Sequence, residues 1–196
     1  MCIIGLNASP TIVVISLIEA LVDQRLDREE LEYALRKARG IIIGYAMEYR
    51  ALKILENQGF EKIRLATAPT HDIEAVKNDR KYYIEVKASR YNPTKHYTAW
   101  KIAMITLLDG EHYTLIIRPS SNPILKPTIE ILSPPKKILY YILKAIKDGN
   151  LAELRKIVEK QENKKILKQY TRTIKWFTER LIEQQKTRNK TRTTTQ

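Results

Sequence analysis

Two neighbouring stretches carry side chains whose types and spacing can do chemistry. They are His71-Asp72-Ile73-Glu74-Ala75-Val76 and Tyr82-Tyr83-Ile84-Glu85-Val86-Lys87, separated by Lys77-Asn78-Asp79-Arg80. Both alternate polar with apolar residues and read as strands joined by a polar turn. If Asn78 and Asp79 form a two-residue hairpin loop, residue i pairs with residue 157 − i, which sets Asp72 opposite Glu85. Opposed residues of a pair have Cβ atoms about 4.5–5.5 Å apart. Strand side chains alternate, so Asp72, Glu85 and Lys87 share one face while Ile73, Ala75, Ile84 and Val86 share the other. Two carboxylates that close repel unless a positive charge sits between them. A divalent cation answers this, and hard oxygen ligands favour Mg²⁺ or Mn²⁺ over zinc. A water held there could become a nucleophile, with Lys87 orienting it or offsetting charge on a phosphoryl group. An ordinary cross-strand ladder of Glu–Lys pairs on a solvated face is the alternative. The tripeptide alone does not decide, since Glu162-Asn163-Lys164 repeats its spacing in a helical context.

The surrounding pattern supplies elements to position these groups. Ser9-Pro10 precedes a helical spacing of Val14, Leu17, Ile18 and Leu21. A second helix is expected from Asp27, with Glu30 placed to complete a capping box, to Gly40. A third runs from about Ile42 to Asn57, stops at Gly59 and carries Glu48. Strands follow at 62–68, 72–76 and 81–87, and a helix at 97–108 that puts Trp100 in the core. Further strands are expected at 112–118 and 128–132, joined by a Pro-rich loop at 119–127. Beyond Ser133-Pro134-Pro135 the chain reads as helix at 136–147 and again from Leu151 onward, with 186–196 a loose tail. Leu167, Tyr170, Ile174, Phe177 and Leu181 step by three and four, a narrow stripe suited to one partner helix. That partner is in the same chain or in a second copy.

Glu48 in a helix, then Arg64-Leu65-Ala66-Thr67-Ala68-Pro69, His71-Asp72-Ile73 and Ile84-Glu85-Val86-Lys87-Ala88-Ser89-Arg90 give an ordered Glu…Asp…Glu-x-Lys series. Over residues 41–118 the chain resembles the PD-(D/E)XK nuclease superfamily, with the restriction-endonuclease-like fold. Within it the chain is most similar to archaeal Holliday-junction resolvases and related archaeal viral nucleases. The resemblance implies an α/β fold with a mixed central sheet flanked by helices, here with N- and C-terminal helical additions. It implies that Asp72, Glu85 and the Val86 carbonyl bind Mg²⁺, for which Mn²⁺ can substitute. Lys87 then assists the attacking water, and Glu48 supports the metal or its waters. The proline usual before the Asp is His71 here. An exonuclease branch of the superfamily adds a Gln on the next helix, and no Gln occurs between 88 and 110. The expected activity is endonucleolytic hydrolysis of DNA phosphodiesters, leaving a 5′-phosphate and a 3′-hydroxyl. The expected substrate is branched or structured double-stranded DNA, and two symmetric cuts call for a homodimer. Ser89, Arg90, Arg64 and Lys101 are candidate DNA contacts.

Composition fits this reading and excludes others. The chain has 196 residues, 43% hydrophobic and 29% charged, with 35 Lys+Arg against 22 Asp+Glu and a net charge of +13. Residues 134–196 hold 17 Lys/Arg against 6 Asp/Glu, whereas residues 1–133 are nearly balanced at 18 against 16. Such a basic region attracts polyanions, nucleic acid first. A single cysteine excludes an intrachain disulfide, and with three scattered histidines it makes no structural zinc site. No apolar run reaches the roughly 20 residues of a membrane span, and no Gly-rich phosphate loop suggests a nucleotide cofactor. A soluble, cytoplasmic protein is expected, with residues 1–40 a helical extension, 41–133 a nuclease core and 134–196 a basic helical region. Three alternatives stand beside this one: a restriction- or repair-type nuclease on linear duplex or flaps, a non-catalytic DNA-binding module of the same fold, and a membrane-surface protein using its basic helices.

Overall fold

The computed structural model describes residues 27–88, 97–118 and 121–193, with side chains to residue 186. The helix expected near Ser9–Leu21, and the candidate DNA contacts Ser89 and Arg90, lie outside the described residues. The protein is α/β, with a five-stranded mixed sheet flanked by helices. It divides into two units between Tyr45 and Ala46.

Helix α1 (Arg28–Asn57) is continuous where two helices were expected. Gly40 and Gly44 cost about 1 kcal/mol each relative to alanine, but neither removes a hydrogen bond as proline would. The helix starts as expected: Asp27 Oδ1 accepts from the Glu30 amide at 2.8 Å, and Glu30 Oε2 accepts from the Asp27 amide at 2.9 Å. It ends at Gly59, whose φ of 77° suits a residue without a Cβ. There the Phe60 amide returns to the Leu55 carbonyl and the Gly59 amide to that of Glu56.

In the second unit, β1 (Glu61–Leu65), β2 (Ile73–Lys77) and β3 (Arg80–Ala88) run antiparallel in sequence order. Helix α2 (Ala99–Leu107) crosses over to β4 (Glu111–Arg118), which lies parallel to β3, and β5 (Ser121–Pro127) closes the far edge antiparallel to β4. The β2–β3 register is the expected one, Ile73 facing Ile84 and Lys77 facing Arg80. Asn78 and Asp79 make the two-residue turn with φ of 50° and 59°, the paired left-handed geometry that matches hairpin twist.

The segment expected as a Pro-rich loop is therefore β5, and the strand expected at 128–132 is the short helix α3 (Thr128–Ile131). Pro123 and Pro127 lack amide hydrogens, which an edge strand paired on one side tolerates. The C-terminal region forms α4 (Pro134–Lys147), α5 (Leu151–Glu159) and α6 (Asn163–Thr193). The break between α5 and α6 was not expected. Asn163 makes it, its side-chain amide donating to the Ile157 carbonyl at 2.6 Å. Helix α6 continues through most of the expected loose tail, since no Gly or Pro interrupts propagation there.

Two apolar clusters lie on the two faces of the sheet. Ala51 and Leu55 of α1 pack with Ile73, Ala75, Ile84, Val86, Leu115 and Ile117. On the opposite face Tyr97, Ile102, Ala103, Leu139, Leu143 and Phe177 pack together, joined by Tyr170, Ile174 and Leu181. The stripe on α6 is thus covered by α2 and α4 of the same chain, and residues 134–186 share the unit of the sheet. Trp100, expected in the core, is 45% exposed and stands edge-on to Trp176 at 5.2 Å, because Ile102, Ala103, Ile105 and Thr106 take the inward face of α2.

Candidate active site

Asp72 sits where pairing of β2 with β3 ends, and three hydrogen bonds fix it. Its amide donates to the Ile84 carbonyl at 3.0 Å and its carbonyl accepts from the Ala66 amide at 2.8 Å. Its side-chain Oδ2 accepts from the Val86 amide at 2.7 Å. The carboxylate thus serves as an acceptor one step beyond the paired residues, which ties it to the strand that carries Glu85 and Lys87.

Glu85 is only 3% exposed, on the face of β3 opposite Ile84 and Val86. A buried carboxylate needs partners. It has two: the Lys87 ammonium and, at 2.7 Å, the Lys101 ammonium, both on Oε1. Glu48 projects from α1 one turn before Ala51, on the side of the helix that packs against the sheet. Burial raises its pKa, and the charges of Asp72 and Glu85 raise it further while Lys87 opposes them. Burial likewise raises the pKa of Asp72, followed by the charge of Glu85, against the Val86 amide, Lys87 and Lys101. Glu48, Asp72, Glu85 and Lys87, drawn from α1, the entry to β2 and β3, therefore act on one another at one end of the sheet.

Among the described residues, no three His, Cys, Asp or Glu side chains cluster closely enough to hold one metal ion. The donors that do converge are carboxylate oxygens, Asp72 and Glu85 foremost, with the Val86 main chain beside them. That set fits Mg²⁺, which takes one or two carboxylates and keeps several waters, and does not fit zinc or a fully protein-lined Ca²⁺ cage.

The remaining candidates fall in different places. Lys101, expected at the DNA surface, is 17% exposed and turned inward onto Glu85. Arg64 is exposed and clamps Glu74 through Nε and its terminal nitrogen, which with His71 lowers the Glu74 pKa. Tyr83 has its ring 4.8 Å from that of His71 and its hydroxyl bonded to Asp109, and burial raises its pKa to about 12. His71, which stands where the resemblance has a proline, is buried, with Nδ1 2.8 Å from Thr70 Oγ1.

Beneath the site runs a buried polar seam that the sequence did not announce. His112 Nε2 donates to the Thr70 carbonyl at 2.8 Å, so its Nδ1 accepts from Thr128 Oγ1 at 2.7 Å. Thr128 and Thr114 hydroxyls lie 2.8 Å apart, and Thr114 meets the Tyr97 hydroxyl at 2.5 Å. The seam thereby joins the support of α2 to the backbone two residues before Asp72. Lys101 had a readable signal, being the one charged residue in the apolar segment Ala-Trp-Lys-Ile-Ala-Met-Ile-Thr-Leu. His112 had none, because its two hydrogen-bond partners, Thr70 and Thr128, are distant from it in sequence.

No family model matches the chain, and no curated protein is significantly similar to it. No helix among the described residues is long and apolar enough to cross a membrane.

Proposed function

We propose that the protein is a Mg²⁺-dependent DNA endonuclease of the PD-(D/E)XK kind, with the restriction-endonuclease-like fold, acting inside the cell on branched or structured DNA. The observation that carries the reading is that Asp72, tied through Oδ2 to the Val86 amide, lies beside buried Glu85 with its Lys87 partner at the end of one hairpin, with Glu48 of α1 in electrostatic reach of all three. Like charges are gathered there at a cost to folding, which is the arrangement expected of groups kept for a ligand of opposite charge. Asp72 and Glu85, with the Val86 carbonyl, would hold the divalent ion. Bound there, the ion supplies Lewis-acid stabilisation of a phosphoryl oxygen and lowers the pKa of a water.

The chain's own residues do the rest. Lys87 orients the attacking water for in-line displacement and offsets charge growing on the phosphodiester. Glu48 accepts hydrogen bonds from water in the site and fixes its orientation. The Asp72 carboxylate, anchored through Oδ2 by the Val86 amide, keeps Oδ1 for the ion. Basic helices α4 to α6 supply backbone-phosphate contacts, which position the duplex without reading sequence. Paired symmetric cuts call for a homodimer, and its interface must lie elsewhere than the α6 stripe, which this chain covers itself.

The test is cleavage of a four-way junction, a flap and a linear duplex of the same sequence in Mg²⁺, beside Asp72→Ala and Lys87→Ala. The expected result is junction cleavage by the wild type, abolished in both variants with DNA binding retained. Tight binding without cutting by the wild type, in Mg²⁺ and in Mn²⁺, would overturn the enzymatic reading. Equal cutting of all three substrates would overturn the branched-DNA preference alone.

A further inference from the structure

The two ammonium groups on Glu85 are not equivalent. Lys87 is two residues along the same strand, whereas Lys101 reaches in from α2, and both meet Oε1. Lys101 occupies the first turn of α2, where the helix dipole disfavours a cation. The ammonium lies 5.7 Å from the centre of the Tyr97 ring, and Tyr97 is itself fully buried and held by Thr114. The Thr98 hydroxyl caps the helix by accepting from the Lys101 amide at 3.2 Å. The residue is thus fixed at both ends and mostly covered, unlike a lysine that follows a phosphate on the surface.

Resting on the nuclease reading, we propose that Lys101 is a positioning residue that stays on Glu85 Oε1 when Lys87 turns to the attacking water and the phosphodiester. Stripping a buried carboxylate of its only counter-charge is strongly unfavourable. With Lys87 alone, each encounter with substrate would do so. With Lys101 in place, Glu85 stays neutralised through Oε1, and Oε2 remains for the divalent ion. The same arrangement limits how tightly that ion binds. With the carboxyls ionised, Glu48, Asp72 and Glu85 against Lys87 and Lys101 leave one net negative charge, and removing Lys101 leaves two.

The test uses the full chain with Lys101→Met, which keeps most of the side-chain length in an apolar setting, and Lys101→Arg, which keeps the charge. For Lys101→Met, kcat on DNA falls by about 10- to 100-fold with KM unchanged. Calorimetric titration of the DNA-free protein with Ca²⁺ shows binding tightened by about three- to tenfold, since a nearby cation has gone. A merely structural role would weaken metal binding, not tighten it. Lys101→Arg keeps wild-type Ca²⁺ affinity and recovers part of kcat. Wild-type kcat in Lys101→Met, unchanged or weakened Ca²⁺ binding, or a raised KM at unchanged kcat would each overturn the proposal, the last by making Lys101 a DNA contact. Should Lys101→Met not fold, Lys101→Gln gives the same readouts. Failure of the wild type to cut any DNA would instead sink the nuclease reading, with the Ca²⁺ titration still deciding whether Lys101 neutralises Glu85.

Discussion

His112 commits both ring nitrogens inside the fold, and this makes it sensitive to acid. The Thr70 carbonyl can only accept, so Nε2 carries the hydrogen and Nδ1 is the acceptor, which aligns the hydroxyls of Thr128, Thr114 and Tyr97 in one direction. A proton on Nδ1 would oppose the Thr128 hydroxyl hydrogen and place a charge in the seam. Burial lowers the pKa to about 4, with Lys101 and His71 acting the same way and the Thr70 carbonyl and Glu85 against it. The direction fixes the sign: the unfolded chain binds this proton more readily than the folded one. Stability from the neutral ring is therefore complete above the ordinary value of 6.5 and is lost as pH falls towards about 4. The full drop corresponds to about 3 kcal/mol.

His112→Gln separates this contribution from the rest of the acid response. The glutamine amide can keep a donor on the Thr70 carbonyl but does not titrate, and it forfeits optimal geometry to Thr128. Near neutral pH the variant should be less stable by about 1–2 kcal/mol. Urea unfolding carried down in pH should show the gap closing near about pH 5 and reversing below it, because only the wild type loses the histidine contribution. Parallel stability profiles for the two proteins would refute the reasoning, and so would a gap that widens in acid.

Asp72→Asn keeps the Val86 amide bonded while removing a charge that burial and Glu85 disfavour, so it should cut the cleavage rate by about 10²–10³-fold. The same change should raise the melting temperature at neutral pH by about 2–4 °C; the native protonated carboxyl contributes stability below its ordinary range that is lost as pH rises through the elevated pKa. Gly110→Ala would set a Cβ 2.5 Å from the Lys81 carbonyl oxygen, a backbone atom that cannot swing away. It should cost about 1–3 kcal/mol by urea unfolding, and wild-type stability would mean that the start of β4 is looser than described. Phe177 is fully buried between α6 and its neighbours, so Phe177→Ala should cost about 3–5 kcal/mol in the same measurement. A cost under about 1 kcal/mol would show that the stripe is not core.

The parts of this molecule that local chemistry specifies were legible in the sequence. The Asp27–Glu30 capping box, the stop at Gly59 and the register of the β2–β3 hairpin each depend on residues within a short span, and each is present. What failed to show was set by distant neighbours. Nothing within residues 119–127 says that β4 will offer an edge, and Pro119, Pro123 and Pro127 argue for a loop until one sees that the edge needs no amide from Pro123 or Pro127. Trp100 is apolar enough for a core, but the phase of α2 is decided by Ile102 and Ile105 against α4. Within the candidate site, Asp72, Glu85 and Lys87 were legible as one face of a hairpin. The inward turn of Lys101 was not, because helical spacing does not reveal that a buried carboxylate waits on the next element.

Among the described residues, several unfavourable electrostatic features meet at the candidate site. Burial, and after it neighbouring carboxylates, raise the pKa values of Glu48 and Asp72, Glu85 is buried, and Lys101 stands at the wrong end of a helix dipole. Exposed pairs such as Arg28 with Glu32 and Arg180 with Glu183 contribute only about 0.2–1 kcal/mol each. The costs at the site share the end of one hairpin that is itself braced from both faces. Ile73, Ala75, Ile84 and Val86 anchor it against α1, and the Tyr97–His112 seam holds the approach to Asp72 from the other side. A well-packed frame can hold like charges together without yielding, and a ligand that relieves them then binds to a site already formed. On the proposed reading a divalent cation would relieve the carboxylates, and a phosphodiester would offset Lys87. Substrate and ion would therefore complete one another's charge at a point that neither could neutralise alone.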